Sequence, residues 1–192
     1  EADWNEFTPK VSVRYKANDD AMLYATYAKG YRSGGFNGRV DSVDSATIPY
    51  NPEFVDNYEL GFKTEWMNRR LRLNGAVFFM DYKDKQEDQI RANPLNPAST
   101  ITFVVNASKA RFRGVEAEAQ FRPVDALHLF GSMGYLSAKY LSYLDGTGVD
   151  ISATKNLRYA PKWNASLGGD YTIDIGGNGD TIKIGSNIKY VD

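Results

Sequence analysis

The chain reads as an all-β protein, an antiparallel up-and-down transmembrane β-barrel, on three observations. Apolar and polar residues alternate with a strict period of two: Leu71, Leu73, Val77 and Phe79 share one face, while Arg72 and Asn74 take the other. The connections are alternately short and long, the asymmetry of outer-membrane barrels, whose short turns are periplasmic and whose long loops lie outside the cell. Full charges (Glu59, Lys63, Glu116, Glu118) sit deep in the polar stripes. Several of those stripes run well past the roughly 9–11 residues a strand needs to cross a bilayer.

The elements follow in order. Val11, Val13 and Tyr15 alternate with Ser12, Arg14 and Lys16 in a first strand, and Asn18-Asp19-Asp20 closes it with side chains that bond their own backbone. Ala21 to Lys29 returns with Leu23, Ala25 and Tyr27 on the apolar face, before a long loop from about Gly30 to Pro52. A third strand, about Phe54 to Met67, opposes Tyr58, Leu60, Phe62 and Trp66 to Asn57, Glu59, Lys63 and Glu65. Asn68-Arg69 turns the chain into a fourth strand reaching about Lys85. The loop from about Gln86 to Ser99 then carries Asn93-Pro94 and Asn96-Pro97, dipeptides that stop a ladder.

The fifth strand puts Val115, Ala117, Ala119 and Phe121 outside and Glu116, Glu118 and Gln120 inside. After Pro123-Val124-Asp125, the sixth opposes Leu127, Leu129, Met133 and Tyr135 to His128 and Ser132. A loop with Asp145-Gly146-Thr147-Gly148 leads to the seventh, where Trp163, Ala165, Leu167, Tyr171 and Ile173 oppose Asn164, Ser166 and Asp170. Gly176-Gly177-Asn178-Gly179 opens the eighth, with Ile182, Ile184, Ile188 and Tyr190 on its apolar face. The pattern amounts to about eight strands in four hairpins. Tyr58, Trp66, Trp163 and Tyr171 lie toward the ends of the apolar stripes, where interfacial aromatic girdles belong.

Composition narrows the function classes. The 192 residues are 42% hydrophobic and 14% aromatic, with 13 tyrosines. The mean hydropathy of −0.48 excludes a helical membrane protein, since no stretch approaches the roughly 20 apolar residues of a spanning helix. A net charge of −1, from 23 basic and 24 acidic residues, gives no electrostatic case for nucleic acid. Without cysteine neither a disulfide frame nor a thiolate metal site exists. Glu1-Ala2-Asp3-Trp4 lacks the basic region and apolar run of a signal peptide; the expectation is a mature chain or a piece of a longer one.

Period-two alternation also describes a soluble sandwich or lipocalin-like barrel, with the apolar face turned inward. The two readings differ in one respect: which face meets water.

Several stretches together resemble a known family. They are Tyr24-Ala25-Thr26-Tyr27-Ala28-Lys29-Gly30-Tyr31-Arg32-Ser33-Gly34-Gly35-Phe36-Asn37, Pro52-Glu53 with Tyr58-Glu59-Leu60-Gly61-Phe62-Lys63, Ala76-Val77-Phe78-Phe79-Met80-Asp81-Tyr82, Gly114-Val115-Glu116-Ala117-Glu118 and Ala160-Pro161-Lys162-Trp163. In this order and spacing they resemble the barrel of TonB-dependent outer-membrane receptors, particularly the siderophore branch, from about Thr8 to beyond Tyr171. The resemblance implies a barrel of about 22 strands, of which this chain holds roughly a third. Residues 1–192 are then an internal fragment, lacking the plug, the TonB box and the C-terminal strands.

By the same resemblance, the protein takes up a ferric siderophore or another small nutrient complex across a Gram-negative outer membrane. The energy arrives through TonB and the plug; no enzyme chemistry, cofactor or nucleic acid is implied, and outer-membrane lipid is the surrounding partner. The candidate ligand contacts lie in the first long loop: Tyr31, Arg32, Phe36, Asn37, Arg39 and Tyr50. Aromatic faces suit planar, partly apolar ligands, and Arg suits anionic chelates. Packing of Tyr31 and Phe36 onto the rim is the structural alternative. Gly61 or Gly114 is expected to mark a bulge or the close approach of another backbone, in the family that of the plug.

Other constellations point to structure. His128 is expected to make a hydrogen bond beside Ser132, and Asp81, Asp84, Glu87 and Asp88 to form a solvated strand end rather than a cation site. Asp145-Gly146 with Asp150 reads as turn chemistry, and no nucleophile–base pair or phosphate-cradling loop is apparent. Two rival functions stand beside the receptor: a complete eight-stranded outer-membrane barrel with a structural or adhesion role, and a soluble carbohydrate-binding β domain.

Overall fold

The computed structural model describes residues 2–38, 46–47, 49–92, 98 and 100–192. Its strands are β1 (Lys10–Asn18), β2 (Ala21–Arg32), β3 (Gly35–Phe36), β4 (Pro49–Tyr50), β5 (Glu53–Trp66), β6 (Leu71–Ala92), β7 (Thr100–Val124), β8 (Leu127–Tyr143), β9 (Trp163–Ile175) and β10 (Asp180–Val191). Eight of them form one antiparallel sheet in the order β1-β2-β5-β6-β7-β8-β9-β10, and β3-β4 is a separate two-stranded ribbon. Every neighbour in the main sheet is the next long strand along the chain, which is the up-and-down topology expected. The sheet is open, with β1 and β10 at its two edges.

The register confirms the two faces residue by residue. Tyr27, Tyr58 and Phe79 lie side by side across β2, β5 and β6, and Leu60 pairs with Val77, which pairs with Val115. On the other face Lys63 pairs with Asn74 and Asn74 with Glu118, while Ser132 pairs with Ser166 and His128 with Asp170. Among the described residues nothing covers the apolar face. Leu60 is 57% exposed, Leu167 64% and Ile188 71%. Burying a Leu or Ile side chain is worth about 1.5–3 kcal/mol, and an uncovered stripe of this extent is not tolerated in water. Hydrocarbon is the solvent that suits it. Closed barrels cross bilayers because their ladder satisfies every backbone polar group. The inward-facing soluble alternative requires Leu73, Val77, Leu129 and Leu167 in a shared dry centre, and no such centre exists among the described residues.

The strands run further than the sequence pattern suggests. β2 continues to Arg32 and β6 to Ala92, past the expected ends near Lys29 and Lys85. β7 has 25 residues, on the order of 80 Å at ~3.3 Å per residue, so β6 and β7 project far beyond a ~30 Å hydrocarbon core. Bulges interrupt the ladder above that core, between Tyr82 and Gln86 and between Lys109 and Ala110, and Asp84 takes a left-handed φ of 53° there. Each bulge breaks the period of two, which hid the extensions of β6 and β7; the ladder of β2 runs to Arg32 without a shift.

Gly61 and Gly114 mark no bulge: the ladder is continuous on both sides of each. Instead an aromatic ring from the directly paired residue lies over each glycine, Tyr24 over Gly61 and Phe78 over Gly114. Phe62 covers Gly75 and Phe130 covers Gly168 in the same way. These cross-strand pairs shield exposed backbone without a loop or a second sheet.

The buried residues gather at the long-loop end. Ala110, Tyr140 and Tyr143 form a small core, packed by Tyr82 and Phe112 from the sheet and by Ile151 and Leu157 from the β8–β9 connection.

Candidate ligand-binding site at the long-loop end

The β8–β9 connection folds back over the polar face of β6–β8. Its conformation is held by two aspartates. The Asp145 carboxylate accepts hydrogen bonds from the Thr147 hydroxyl (2.7 Å), the Thr147 N–H (2.8 Å) and the Val149 N–H (3.0 Å), which lower its pKa. Asp150 accepts from the N–H groups of Ser152 (2.9 Å) and Tyr143 (3.1 Å), which bring its pKa down to about 2. Both act as turn residues, as the sequence suggests.

Between this connection and the sheet lies a cavity of ≈ 330 Å³. Its wall carries four cations (Arg32, Lys85, Lys155, Arg158), two carboxylates (Glu87, Asp88) and the rings of Tyr140 and Tyr143. Glu87 is already engaged: Lys85 Nζ donates to it at 2.7 Å and the Tyr140 hydroxyl at 2.8 Å. Lys155 Nζ stands 5.0 Å from the centre of the Tyr143 ring. Arg32, Lys155 and Arg158 make no ion pair among the described residues. The surplus is positive and lined by aromatic surface.

Of the candidate contacts, one reaches this cavity. Arg32 stands at the end of β2, paired with Glu53. Tyr31, its neighbour, points to the opposite face, with its ring 5.8 Å from Phe54. Phe36 lies in β3, edge-on to Trp4 at 6.0 Å. Asn37 Nδ2 donates to the Val104 carbonyl (3.1 Å) and its Oδ1 accepts from the Val104 N–H (2.7 Å), closing a two-way clasp on β7. Tyr50 lies in β4, opposite Gly35. Arg39 lies outside the described residues, as do Asn93-Pro94 and Asn96-Pro97. Tyr31, Arg32, Phe36 and Tyr50 are therefore strand residues, not members of an irregular loop, because ladder pairing continues into that segment.

Further anchors fasten the first long connection to β6 and β7. Gln86 Nε2 donates to the carbonyls of Ser33 (2.8 Å) and Asn51 (3.1 Å). Asn106 Nδ2 donates to the Asn51 and Asp84 carbonyls, at 2.7 and 2.8 Å. Sequence reasoning missed Lys85, Tyr140, Tyr143, Lys155 and Arg158. Tyr140 and Tyr143 are three apart, a spacing that looks like opposite faces until the bulge in β8 is known.

Elsewhere, His128 Nδ1 lies 3.2 Å from Asp170, which also pairs with Lys183 at 2.9 Å. Asp81 is bound to Arg111 (2.7 Å) on the apolar side of the sheet. No cluster suited to a metal ion occurs among the described residues.

An open run of an up-and-down sheet, apolar outside and polar inside, with a cationic pocket under its long loops, defines a piece of a membrane barrel. Comparison with known proteins agrees. Residues 1–191 match the family model described as TonB dependent receptor-like, beta-barrel; the chain belongs to that family, and its place is the Gram-negative outer membrane. It is 27% identical over 184 residues to the ferric-pyoverdine receptor PbuA of a Pseudomonas species, covering 96% of this chain and 20% of that protein. It is also 27% identical to the metal-pseudopaline receptor CntO of Pseudomonas aeruginosa, covering 88% of this chain and 21% of CntO. Among solved structures, the ferric yersiniabactin uptake receptor FyuA of Yersinia pestis superposes with a TM-score of 0.69 at 23% identity, over 95% of this chain and 25% of FyuA. The chain thus spans about a fifth of the length of these curated relatives.

Proposed function

We propose that this chain is part of the wall of a TonB-dependent receptor that binds a ferric siderophore or similar nutrient complex outside the cell and passes it inward. Further strands would pair with the free edges of β1 and β10 to complete a larger barrel, with a plug inside it receiving energy from TonB. The barrel holds and releases its cargo without bond chemistry. The open sheet speaks against a complete eight-stranded barrel, and the uncovered apolar face against a soluble carbohydrate-binding domain.

The observation that carries this reading is the cationic, tyrosine-lined cavity beneath the β8–β9 connection. Ferric chelates with ionised oxygen ligands are anionic, and guanidinium and ammonium groups beside aromatic faces suit them. Relatives named for ferric-pyoverdine and metal-pseudopaline point to the same ligand chemistry. Arg32 is the contact retained from the first long connection; Arg158 and Lys155 join it. Tyr31, Phe36, Asn37 and Tyr50 hold that connection in place, and Arg39 stays a candidate contact.

The test is equilibrium binding of ferric siderophores to the intact receptor carrying Arg32→Ala and Arg158→Ala. Charge-assisted hydrogen bonds are worth ~1.5–3 kcal/mol each, so affinity should fall by about tenfold or more per residue. Undiminished binding and uptake in the double variant would remove this cavity from the site.

A further inference from the structure

We propose that the cavity under the β8–β9 connection selects catecholate chelates, and that Tyr159 at its rim supplies a ring that stacks on a catechol face. The inference rests on that cavity being the ligand site, and it adds the chemical class of the ligand and a further contact residue. Tyr159 lines the cavity beside Arg158. It is 101% exposed, the most exposed large hydrophobic side chain among the described residues. Its φ is 56°, in the left-handed region where a bulky side chain is an outlier.

The other non-glycine residues with a left-handed φ among those described have evident structural roles. Met67, Asn68 and Arg69 close the β5–β6 hairpin, and Asp84 sits in the β6 bulge. Tyr159 lies in a turn of the β8–β9 connection, where glycine or asparagine takes such a φ at low cost. Holding another residue there costs stability, and residues so held cluster at ligand clamps. Packing does not offset the cost here. The ring is uncovered, and it makes no hydrogen bond or ring contact among the described residues.

The cavity supplies the other half of the recognition. Arg32, Lys155 and Arg158 leave a surplus of positive charge. The Tyr140 and Tyr143 rings stand on its wall 4.9 Å apart, with Lys155 Nζ 5.0 Å from the centre of the Tyr143 ring. The ligand that uses both features is an aromatic ring bearing ionised oxygens. A ferric tris-catecholate has net negative charge and presents such rings. A ferric trihydroxamate is neutral and aliphatic, and a ferric citrate complex is anionic without a ring. At ≈ 330 Å³ the cavity is at the small end for a whole ligand, so it takes one arm of the chelate and leaves the rest at the rim, where Tyr159 stands. Offset stacking of that ring on an exposed catechol is the arrangement aromatic pairs prefer.

The experiment is isothermal titration calorimetry on the full-length receptor in detergent. The probes are ferric enterobactin as the tris-catecholate, ferrichrome as the trihydroxamate and ferric dicitrate as the anion without a ring. Ferric enterobactin should bind most tightly. Tyr159→Ala should weaken it about fivefold, the worth of one aromatic pair, with a smaller loss for ferric dicitrate. Tyr159→Phe keeps the ring and should restore the affinity. Tyr159→Gly frees the backbone but removes the ring, and should match Tyr159→Ala. Equal or tighter binding of ferrichrome or ferric dicitrate, no binding of ferric enterobactin, an equal loss for ferric dicitrate in Tyr159→Ala, or recovered affinity in Tyr159→Gly would each overturn the proposal. Arg32→Ala with Arg158→Ala keeps the two readings apart, because it weakens both anionic chelates if the cavity is the site. An effect of that double variant with none from Tyr159→Ala overturns this inference alone. No effect of the double variant overturns the cavity reading, and this inference with it.

Discussion

The lower and upper halves of this sheet are built by different rules. Toward the short turns the ladder shifts register only beside the turns themselves, at Lys16–Asn18 and Phe121–Val124, and among the described residues both faces are uncovered and no hydrophobic core is buried; solvent on one side and hydrocarbon on the other keep the faces apart. Toward the long loops the ladder is bulged, polar side chains clasp backbone across 50 residues or more of chain, and Tyr140 and Tyr143 are buried. The upper half must hold itself together in water, so it packs a core as a soluble domain does. One continuous strand, β7, passes from one regime to the other.

The largest expected effect comes from removing the upper core. Tyr140→Ala deletes a buried ring and the hydroxyl that donates to Glu87, and loss of a large aromatic side chain from a core costs ~3–5 kcal/mol. Hydrogen exchange should accelerate through the β8–β9 connection and the ends of β6–β8 while the lower ladder stays protected. Uniform loosening of both halves would show that they are a single cooperative unit.

The lower half answers to a different substitution. Ala117→Arg places a charge in the lipid-facing stripe, near its middle, and should cost ~2–4 kcal/mol in bilayer refolding titrations. Glu116→Gln, one residue along on the polar face, should stay within about 0.5 kcal/mol. Equal costs at the two positions would contradict the assignment of faces.

What was legible in the sequence divides along the same line. Where the environment is a bilayer, a strand's only message is alternation, and the placement of Leu60 and Val77 on one face and of Asn74 and Glu118 on the other could be read from parity, though not which residues pair. The topology and the alternation of short and long connections were equally plain. The upper half was not legible, because a bulge at Asp84 or beside Lys109 resets parity without any signal in composition. The cavity residues Arg32, Lys85, Tyr140 and Arg158 come from four separate segments, and only folding brings them together. Asn37 could be named as a loop residue but not as the partner of Val104, 67 positions away.

Glycine pairing sharpens the contrast within the lower half. At Gly114 a side chain would meet both the Phe78 ring and the backbone carbonyl of Tyr135. The ring could turn aside; the carbonyl belongs to the ladder and could not. Gly114→Val should therefore cost ~1–3 kcal/mol, the range for overpacking, although valine is a better strand former than glycine. Stabilisation by valine, measured in the same refolding titration, would mean that strand propensity outweighs the aromatic cover.

The smallest effect concerns only the upper half and depends on pH. The Asp150 carboxylate is held near a pKa of about 2 by the N–H groups of Ser152 and Tyr143, against an unfolded value of about 3.9. A depressed carboxylate contributes stability that is fully present above its unfolded value and lost as pH falls through the folded one. Asp145, lowered by Thr147 and Val149, acts in the same direction. The β8–β9 connection should thus loosen between about pH 4 and pH 2, while the lower ladder, which draws nothing from these groups, does not respond. Amide exchange at Tyr143 and Ser152, corrected for the intrinsic pH dependence, would follow this change. Asp150→Asn should raise exchange at both amides at neutral pH and flatten their acid response. A response of the same size in the variant would assign the acid sensitivity to Asp145, the other aspartate that holds the connection through the Thr147 and Val149 N–H groups.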